Sequence, residues 1–502
     1  LRSALLNQSL RASFLASVHR LYELAVDVRL RRHALEPDAG HAAAAFAVSE
    51  RAKARGLVDL LIESQADLRS GVDRVLIEQE RSLQRQVTAR SDRLVSLVTA
   101  RAPAARIDEA DRQLAAATEA LGTAQARVRA ASPRYANLIQ PPPVTAAMVQ
   151  RELLDPETTL VAYMLGEESS FAWVMTDRGF DMVALPPAGR LEGAIRALNE
   201  RVSVPSKDAR AAADALARLV LEPVRDRLRG SRVVIAADGA LGYVPFAMLL
   251  PDREVVSVPS ASAVRTLRAE PWRQVRGPRR VAIFADPVFG ADDPRVVTGS
   301  RGGGNSAAPF ARLIGSRREA RAIADLAGPG HARTMLGFDV TREAVVSGDW
   351  QGDAILHFAT HGVWDSARPL LSGLALSMVD AQGKPKDGFL RLNDILQMRL
   401  HADLVTLSAC QTALGEEIKG EGVVGIARGF MHAGARRILT TLWSVDDAAT
   451  AALMEEFYTR LLGPRRVPAS TALRQAQAAI RAQARWREPH YWAGYVLQGE
   501  WQ

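Results

Sequence analysis

Along roughly the first 140 residues, apolar positions recur at three- and four-residue steps among Ala, Leu, Arg and Glu, the spacing of amphipathic helices. One such segment runs from Leu10 to Leu35. Glu36-Pro37-Asp38-Ala39-Gly40 interrupts it, and a second runs from His41 to about Leu68, so the two predict a helical hairpin. A longer pair follows at about Val72–Ala100 and Ala105–Ala131, broken at Ala102-Pro103. Leu76, Leu83, Val87, Leu94 and Leu97 keep heptad-like spacing, as do Ile107, Leu114 and Leu121. That pattern fits an antiparallel coiled-coil hairpin and equally a plain amphipathic pair packed on the next domain.

Pro141-Pro142-Pro143 marks a stiff junction, after which the period changes. Short β-rich runs appear at Leu160–Leu165, Phe171–Thr176, Met182–Leu185, Val233–Ala237 and Val255–Val258, with helical stretches at Arg190–Arg201 and Asp208–Leu228 among them. A second block begins near Val281. Its strands are Val281–Ala285, Ala354–Phe358, Leu404–Leu407 and Arg437–Leu442, and they read as unbroken apolar runs, as buried parallel strands do. Alternation of strands and helices predicts two α/β blocks, each a doubly wound, mostly parallel sheet, preceded by an all-α region. The expected boundaries are 1–68 for the first hairpin, 69–140 for the long one, 141–275 for the first α/β block and 276–502 for the second. Pro294–Pro309, with Arg301-Gly302-Gly303-Gly304, reads as a long loop.

Composition narrows the function classes. The chain has 502 residues, 48% apolar and 24% charged, enough for two or three cores and too ordered a mixture for wholesale disorder. No apolar run approaches the ~20 residues of a membrane span, and no leader pattern stands at Leu1–Leu10. The net charge is +8, yet the Arg residues alternate with Asp and Glu along helices and are not clustered with aromatics, so solvated helix faces are expected rather than a nucleic-acid surface. A single cysteine, Cys410, excludes an internal disulfide and a zinc site built from several cysteines. It favours a reducing, cytosolic setting, and no cofactor is implied.

Two strand ends carry candidate chemistry: Ile355-Leu356-His357-Phe358-Ala359-Thr360-His361-Gly362 and Leu404-Val405-Thr406-Leu407-Ser408-Ala409-Cys410. Ligand sites of such sheets lie at the carboxyl ends of strands, so adjacent strands would bring His361 and Cys410 together. A thiol near pKa 8.5 needs a nearby imidazole to act as a nucleophile at neutral pH. The backbone N–H groups of Gly362 and Cys410 are candidate oxyanion donors. Against this stands the common fate of a lone cysteine, which is inert packing. His357, inside its strand, reads as a core or supporting histidine, and His401 and His432 are weaker candidates. Gly420–Gly425 fits G-x-G-x-x-G, but it does not follow a strand directly; Gly415–Gly422 reads instead as a flexible active-site loop, and Lys419 as a speculative self-cleavage point.

The segments His357–Gly362 (HFATHG), Leu407–Ala413 (LSACQTA), Gly420–Ala435 and Ile438–Asp447 (ILTTLWSVDD) closely resemble the CHAT domain, which is caspase-like and related to separase. Leu313–Ala324 fits its opening helix and His490–Leu497 its last strand; Ala42–Leu61 resembles the final unit of a tetratricopeptide array, a unit that cannot bury its own face and so suggests repeats upstream. The resemblance implies a caspase-type fold and a cysteine endopeptidase acting on a protein substrate, with His361 as base and Cys410 as nucleophile. The His-to-Cys separation agrees with the caspase spacing of about 50 residues. It also implies that Asp447, or its neighbour Asp446, meets an Arg or Lys side chain before the scissile bond; a helix N-cap suits either residue equally. An activating protein or ribonucleoprotein on the helical repeats is a further expectation. A silent scaffold and an acyltransferase using the same thiol are the alternative functions. The first α/β block reads as a degenerate copy: Asp238 falls where His361 stands and Ala261 where Cys410 stands.

Overall fold

The computed structural model describes residues 8–53, 57–58, 61, 72–99, 102–131, 144–269, 279–297, 310–363, 372–408, 415–418 and 422–502. Cys410, the triple proline, Arg301–Ser306 and Lys419 lie outside the described residues.

Helix α1 (Gln8–Leu35) turns through a single 3-10 turn at Pro37–Ala39 into α2 (His41–Ala52). Gly40 makes the corner at φ +74°, a left-handed conformation that a side chain disfavours. The second helix is shorter than its periodicity suggested: it ends at Ala52, where Lys53 is extended (φ −94°, ψ 139°). The end of α2 is instead committed to the α/β region. Glu50 accepts from the Ser262 N–H and hydroxyl at 2.9 and 3.0 Å. Lys53 is buried beside it, and burial pulls its amine below the usual lysine range. Trp173 packs edge-on against Phe46 and donates its indole N–H to the Ala42 carbonyl. The long hairpin, α3 (Arg74–Thr99) and α4 (Ala104–Ala131), is closed by Val87, Leu94, Ala110, Leu114, Ala117 and Leu121. Of the heptad-like positions, Val87, Leu94, Leu114 and Leu121 are in this core, and Leu83, Leu97 and Ile107 pack partly buried against it.

The strands are β1 (Thr158–Met164), β2 (Ser170–Met175), β3 (Phe180–Leu185), β4 (Arg232–Ala236), β5 (Glu254–Val258), β6 (Val281–Ala285), β7 (Ala332–Leu336), β8 (Ile355–Ala359), β9 (His361–Val363), β10 (Gly373–Ala375), β11 (Phe389–Arg391), β12 (Leu404–Ser408), β13 (Gly415–Ile418), β14 (Gly422–Gly425), β15 (Arg437–Thr441) and β16 (Tyr495–Gly499). Eleven of them form one sheet in the order β3-β2-β1-β4-β5-β16-β15-β12-β8-β6-β7. The two α/β blocks are therefore joined edge to edge. The C-terminal strand β16 makes the join, antiparallel to β15 and parallel to β5 through Gln498↔Ser257. The edge strands that each block would otherwise expose are covered by this pairing. Small sheets β11-β10-β9 and β13-β14 stand apart from it.

In the second block Ala359 pairs with Ser408; in the first, Ala236 pairs with Val258. Ser260 and Ala261 come just after the end of β5. The Ser260 hydroxyl accepts from the Ala263 N–H at 3.0 Å, so this position serves a helix start. The loop expected at Gly415–Gly422 is corrected. Residues 415–418 and 422–425 are antiparallel strands paired Gly415↔Gly425 to Ile418↔Gly422. Val423 and Val424 opposite Glu417 and Glu416 supply β-branched residues for that ladder, a signal the surrounding charges obscured.

Candidate active site

The site is built where β8 and β12 end side by side. They pair in parallel from Ile355↔Leu404 to Ala359↔Ser408. In sequence, His361 comes two residues after the end of β8 and Cys410, outside the described residues, two after the end of β12. Neighbouring strands are about 4.8 Å apart. Just past the end of β8 the chain bends, and β9 turns His361 into the small sheet opposite Ala375. The Thr360 hydroxyl ties this bend to the Ala375 carbonyl.

The His361 ring forms a cluster with two aromatic rings, which also touch each other at 5.6 Å. Phe310 stacks on it at 5.3 Å and 23°, and Phe289 packs at 5.2 Å and 55°. Its Nε2 lies 2.7 Å from the Ala311 carbonyl oxygen. A carbonyl can only accept, so Nε2 carries the proton and Nδ1 is the basic nitrogen of the neutral ring. The orientation of the ring is thus set by residues 310 and 311. That segment is in turn held by Arg312, whose guanidinium makes two bonds to the Asp286 carboxylate, at 2.8 and 2.9 Å. Arg317 and Arg295 reach the same carboxylate at 2.5 and 3.0 Å. Asp286 is wholly buried and has φ +51°.

Beneath the strand ends lies a second polar group. His357 Nδ1 bonds the Tyr458 hydroxyl at 3.0 Å, which bonds the Thr406 hydroxyl at 2.9 Å. His357 Nε2 faces Glu319 Oε1 at 2.9 Å, off the line of a directed hydrogen bond. All four side chains are buried, and burial pushes the Tyr458 phenol well above its usual range. The cluster ties β8 and β12 to the helices Ile314–Ala327 and Asp447–Leu462. His357 is thus a supporting histidine beneath the site, while His401 is exposed on a loop.

Asp446 and Asp447 part company. The Asp446 carboxylate accepts from the Ala449 N–H at 2.8 Å and caps its own helix. Asp447 points across to the start of helix Ile314–Ala327, accepting from the Gly315 N–H at 2.7 Å. A Cβ at residue 315 would sit 2.7 Å from that carboxylate, so glycine permits the approach. Asp447 is half-buried, and burial raises its carboxyl above the ordinary range; Glu319 and Asp446 push the same way, while the Gly315 bond and His361 oppose.

The site also touches the helical region. Arg391, at the end of β11 and 1% exposed, pairs with Asp92 of α3 at 2.6 Å and with Asp387 at 3.1 Å. Gln84 of α3 bonds Asn393 at 3.2 Å. Since β11 pairs with β10 and β10 with β9, the long hairpin connects to His361 through one small sheet. Among the described residues, no group of three or more His, Cys, Asp or Glu side chains is arranged to hold a metal ion. No described helix is long and apolar enough to cross a membrane.

Phe310, Ala311, Arg312, Asp286, Glu319 and Tyr458 were not singled out from the sequence. Asp286 had a legible signal, since it follows the apolar run Val281–Ala285 directly and so stands at a strand's carboxyl end, as His361 does.

Tetratricopeptide repeat protein 28 of Mus musculus is 25% identical over 315 residues, and that of Homo sapiens 24%, each match covering 54% of this chain and 12% of the relative's length. The chain thus corresponds to a small part of those relatives. Among solved structures, the separase–securin complex of Saccharomyces cerevisiae is similar over 78% of this chain and 34% of that one, with 8% identity and a TM-score of 0.46. The Arg-specific cysteine proteinase gingipain R, RgpB of Porphyromonas gingivalis, is similar over 62% of this chain and 74% of that one, with 10% identity and a TM-score of 0.34. The family model of the CHAT domain matches residues 210–500, more than half of the chain and all of the second block from β6 to β16. The protein belongs to the CHAT-domain family.

Proposed function

We propose that the chain is a cysteine endopeptidase acting through His361 and Cys410. The observation that carries this reading is the pairing Ala359↔Ser408, with the dyad residues following it at equal distance in sequence, together with a proton-bearing Nε2 on His361 that leaves Nδ1 as the base. The Cys410 thiol gives its proton to Nδ1, and the thiolate attacks the substrate carbonyl carbon. The backbone N–H groups of Gly362 and Cys410 hold the oxyanion. The imidazolium returns the proton to the leaving amine, and water then hydrolyses the thioester. Asp447 receives an Arg or Lys side chain before the scissile bond, since a half-buried carboxylate selects a guanidinium or ammonium group. Asp446 keeps to capping its helix. The substrate is a specific protein, cut in few places, and a protein or ribonucleoprotein partner on the helical region regulates the cut through contacts such as Asp92–Arg391.

Digestion of a peptide library by the purified chain, read by mass spectrometry, tests this. The expected products are paired fragments, the amino-terminal one of each pair ending in Arg or Lys, absent for Cys410→Ala and His361→Ala. Products extended by an added amine would mean acyl transfer instead. Full biological function in Cys410→Ala would mean a non-enzymatic scaffold.

A further inference from the structure

We propose that Arg312 is a positioning residue for His361, holding the imidazole in its working tautomer through the backbone of its neighbour. This rests on the dyad reading above. Three observations combine. Ala311, the acceptor for Nε2 at 2.7 Å, is adjacent in sequence to Arg312. Phe310, which stacks on the ring, is the next residue back. Arg312 then fixes this three-residue strap by two parallel bonds to Asp286, an arrangement with both distance and orientation defined.

The anchor is rigid. Asp286 is wholly buried, and its N–H is bonded to the Ser316 hydroxyl at 3.1 Å. The Ser316 hydroxyl is itself bonded to the Leu313 carbonyl at 2.7 Å. Arg295 grips both the Asp286 carbonyl and its carboxylate, at 2.8 and 3.0 Å. The backbone at Asp286 is left-handed, at φ +51°, a conformation that is strained for a residue with a side chain and persists only where neighbours over-determine it. Arg295, Arg312 and Arg317 share the carboxylate, but only Arg312 is bonded in sequence to Ala311. Losing Arg312 leaves two guanidinium groups on Asp286, so the buried charge stays paired while the strap is released.

The chemical consequence has a definite sign. The Ala311 carbonyl accepts from Nε2–H in both protonation states of the ring, but more strongly when the ring is the imidazolium. It therefore favours the thiolate–imidazolium pair. Without it, the neutral thiol–imidazole pair competes, and less thiolate is present at neutral pH.

The test is the pH profile of Cys410 alkylation by iodoacetamide in the full chain, with circular dichroism to confirm folding. In Arg312→Gln alkylation on the neutral-pH plateau should slow by up to about tenfold, while the acid limb, where the imidazolium is present before and after the thiol ionises, stays in place. Arg312→Lys, which keeps a cation on Asp286, should recover part of the loss. Arg317→Gln, which removes a different partner of the same carboxylate, should leave the plateau unchanged. A profile for Arg312→Gln that superimposes on the native one overturns the proposal, as does an equal loss in Arg317→Gln. If His361→Ala leaves the native alkylation profile unchanged, the dyad reading fails and the positioning role falls with it; a His361-dependent native profile indifferent to Arg312 removes the positioning role alone.

Discussion

Replacing Tyr458 by Phe removes one oxygen from the centre of the molecule and keeps the ring. The ring contacts, to Phe457 at 5.2 Å and to His357 at 5.4 Å, survive the change. What is lost is a hydroxyl that satisfies two fully buried groups at once, His357 Nδ1 and Thr406 Oγ1. Each group stranded in this way costs about 1–3 kcal/mol. Relief of the phenol's own burial offsets part of it, so the expected loss is about 2–4 kcal/mol. Thr406→Val also removes one hydroxyl, but it leaves Tyr458 bonded to His357, and about 1 kcal/mol is expected. In a chain of several units a single unfolding midpoint is poorly defined, so hydrogen exchange of the peptides spanning β8 and β12 is the suitable assay. Their opening should become easier by about 30- to 1,000-fold in Tyr458→Phe and about fivefold in Thr406→Val. Equal effects of the two variants, or a change below about threefold in Tyr458→Phe, would refute the claim that this cluster clamps β8 and β12 to the helices behind them.

Asp447→Asn should lower cleavage after Arg and Lys by at least tenfold with little change in intrinsic Cys410 alkylation, whereas Asp446→Ala should cost about 1 kcal/mol of helix stability and leave selectivity unchanged; parallel peptide digests and alkylation rates separate the two. Because burial raises the Asp447 carboxyl, it is neutralised earlier on acidification than an ordinary aspartate. Preference for basic residues over neutral ones should therefore fade at a pH above the usual carboxylate range, measured as a ratio of kcat/KM values. Asp92→Ala removes one of two carboxylates on the buried Arg391, so exchange in β9–β11 should rise about tenfold or more while that of β1–β4 stays constant.

Much of the second block was legible because its strands are short apolar runs ending in polar, reactive residues. Val281–Ala285 is a strand with the expected bounds, and Leu404–Leu407 gains only Ser408. The long hairpin was legible for a similar reason, since Leu94 and Leu114 repeat at core spacing. What the sequence hid is non-local. Nothing near Gln498 says that it will pair with Ser257 and weld two blocks into one sheet. Tyr458 and Glu319 sit on helices whose buried faces look like ordinary apolar stripes, and only the packing shows them meeting His357. Asp446 and Asp447 are adjacent with the same side chain; direction alone separates a cap from a residue facing the next helix.

The claim on which the rest depends is that the imidazole of His361 activates the Cys410 sulfur. A peptidyl acyloxymethylketone carrying Arg next to the warhead, followed by intact-mass and peptide mass spectrometry, probes it directly. The account predicts one covalent adduct, on Cys410, formed at least a hundredfold more slowly in a folded His361→Ala variant. Adduct formation at the same rate in both proteins would contradict it.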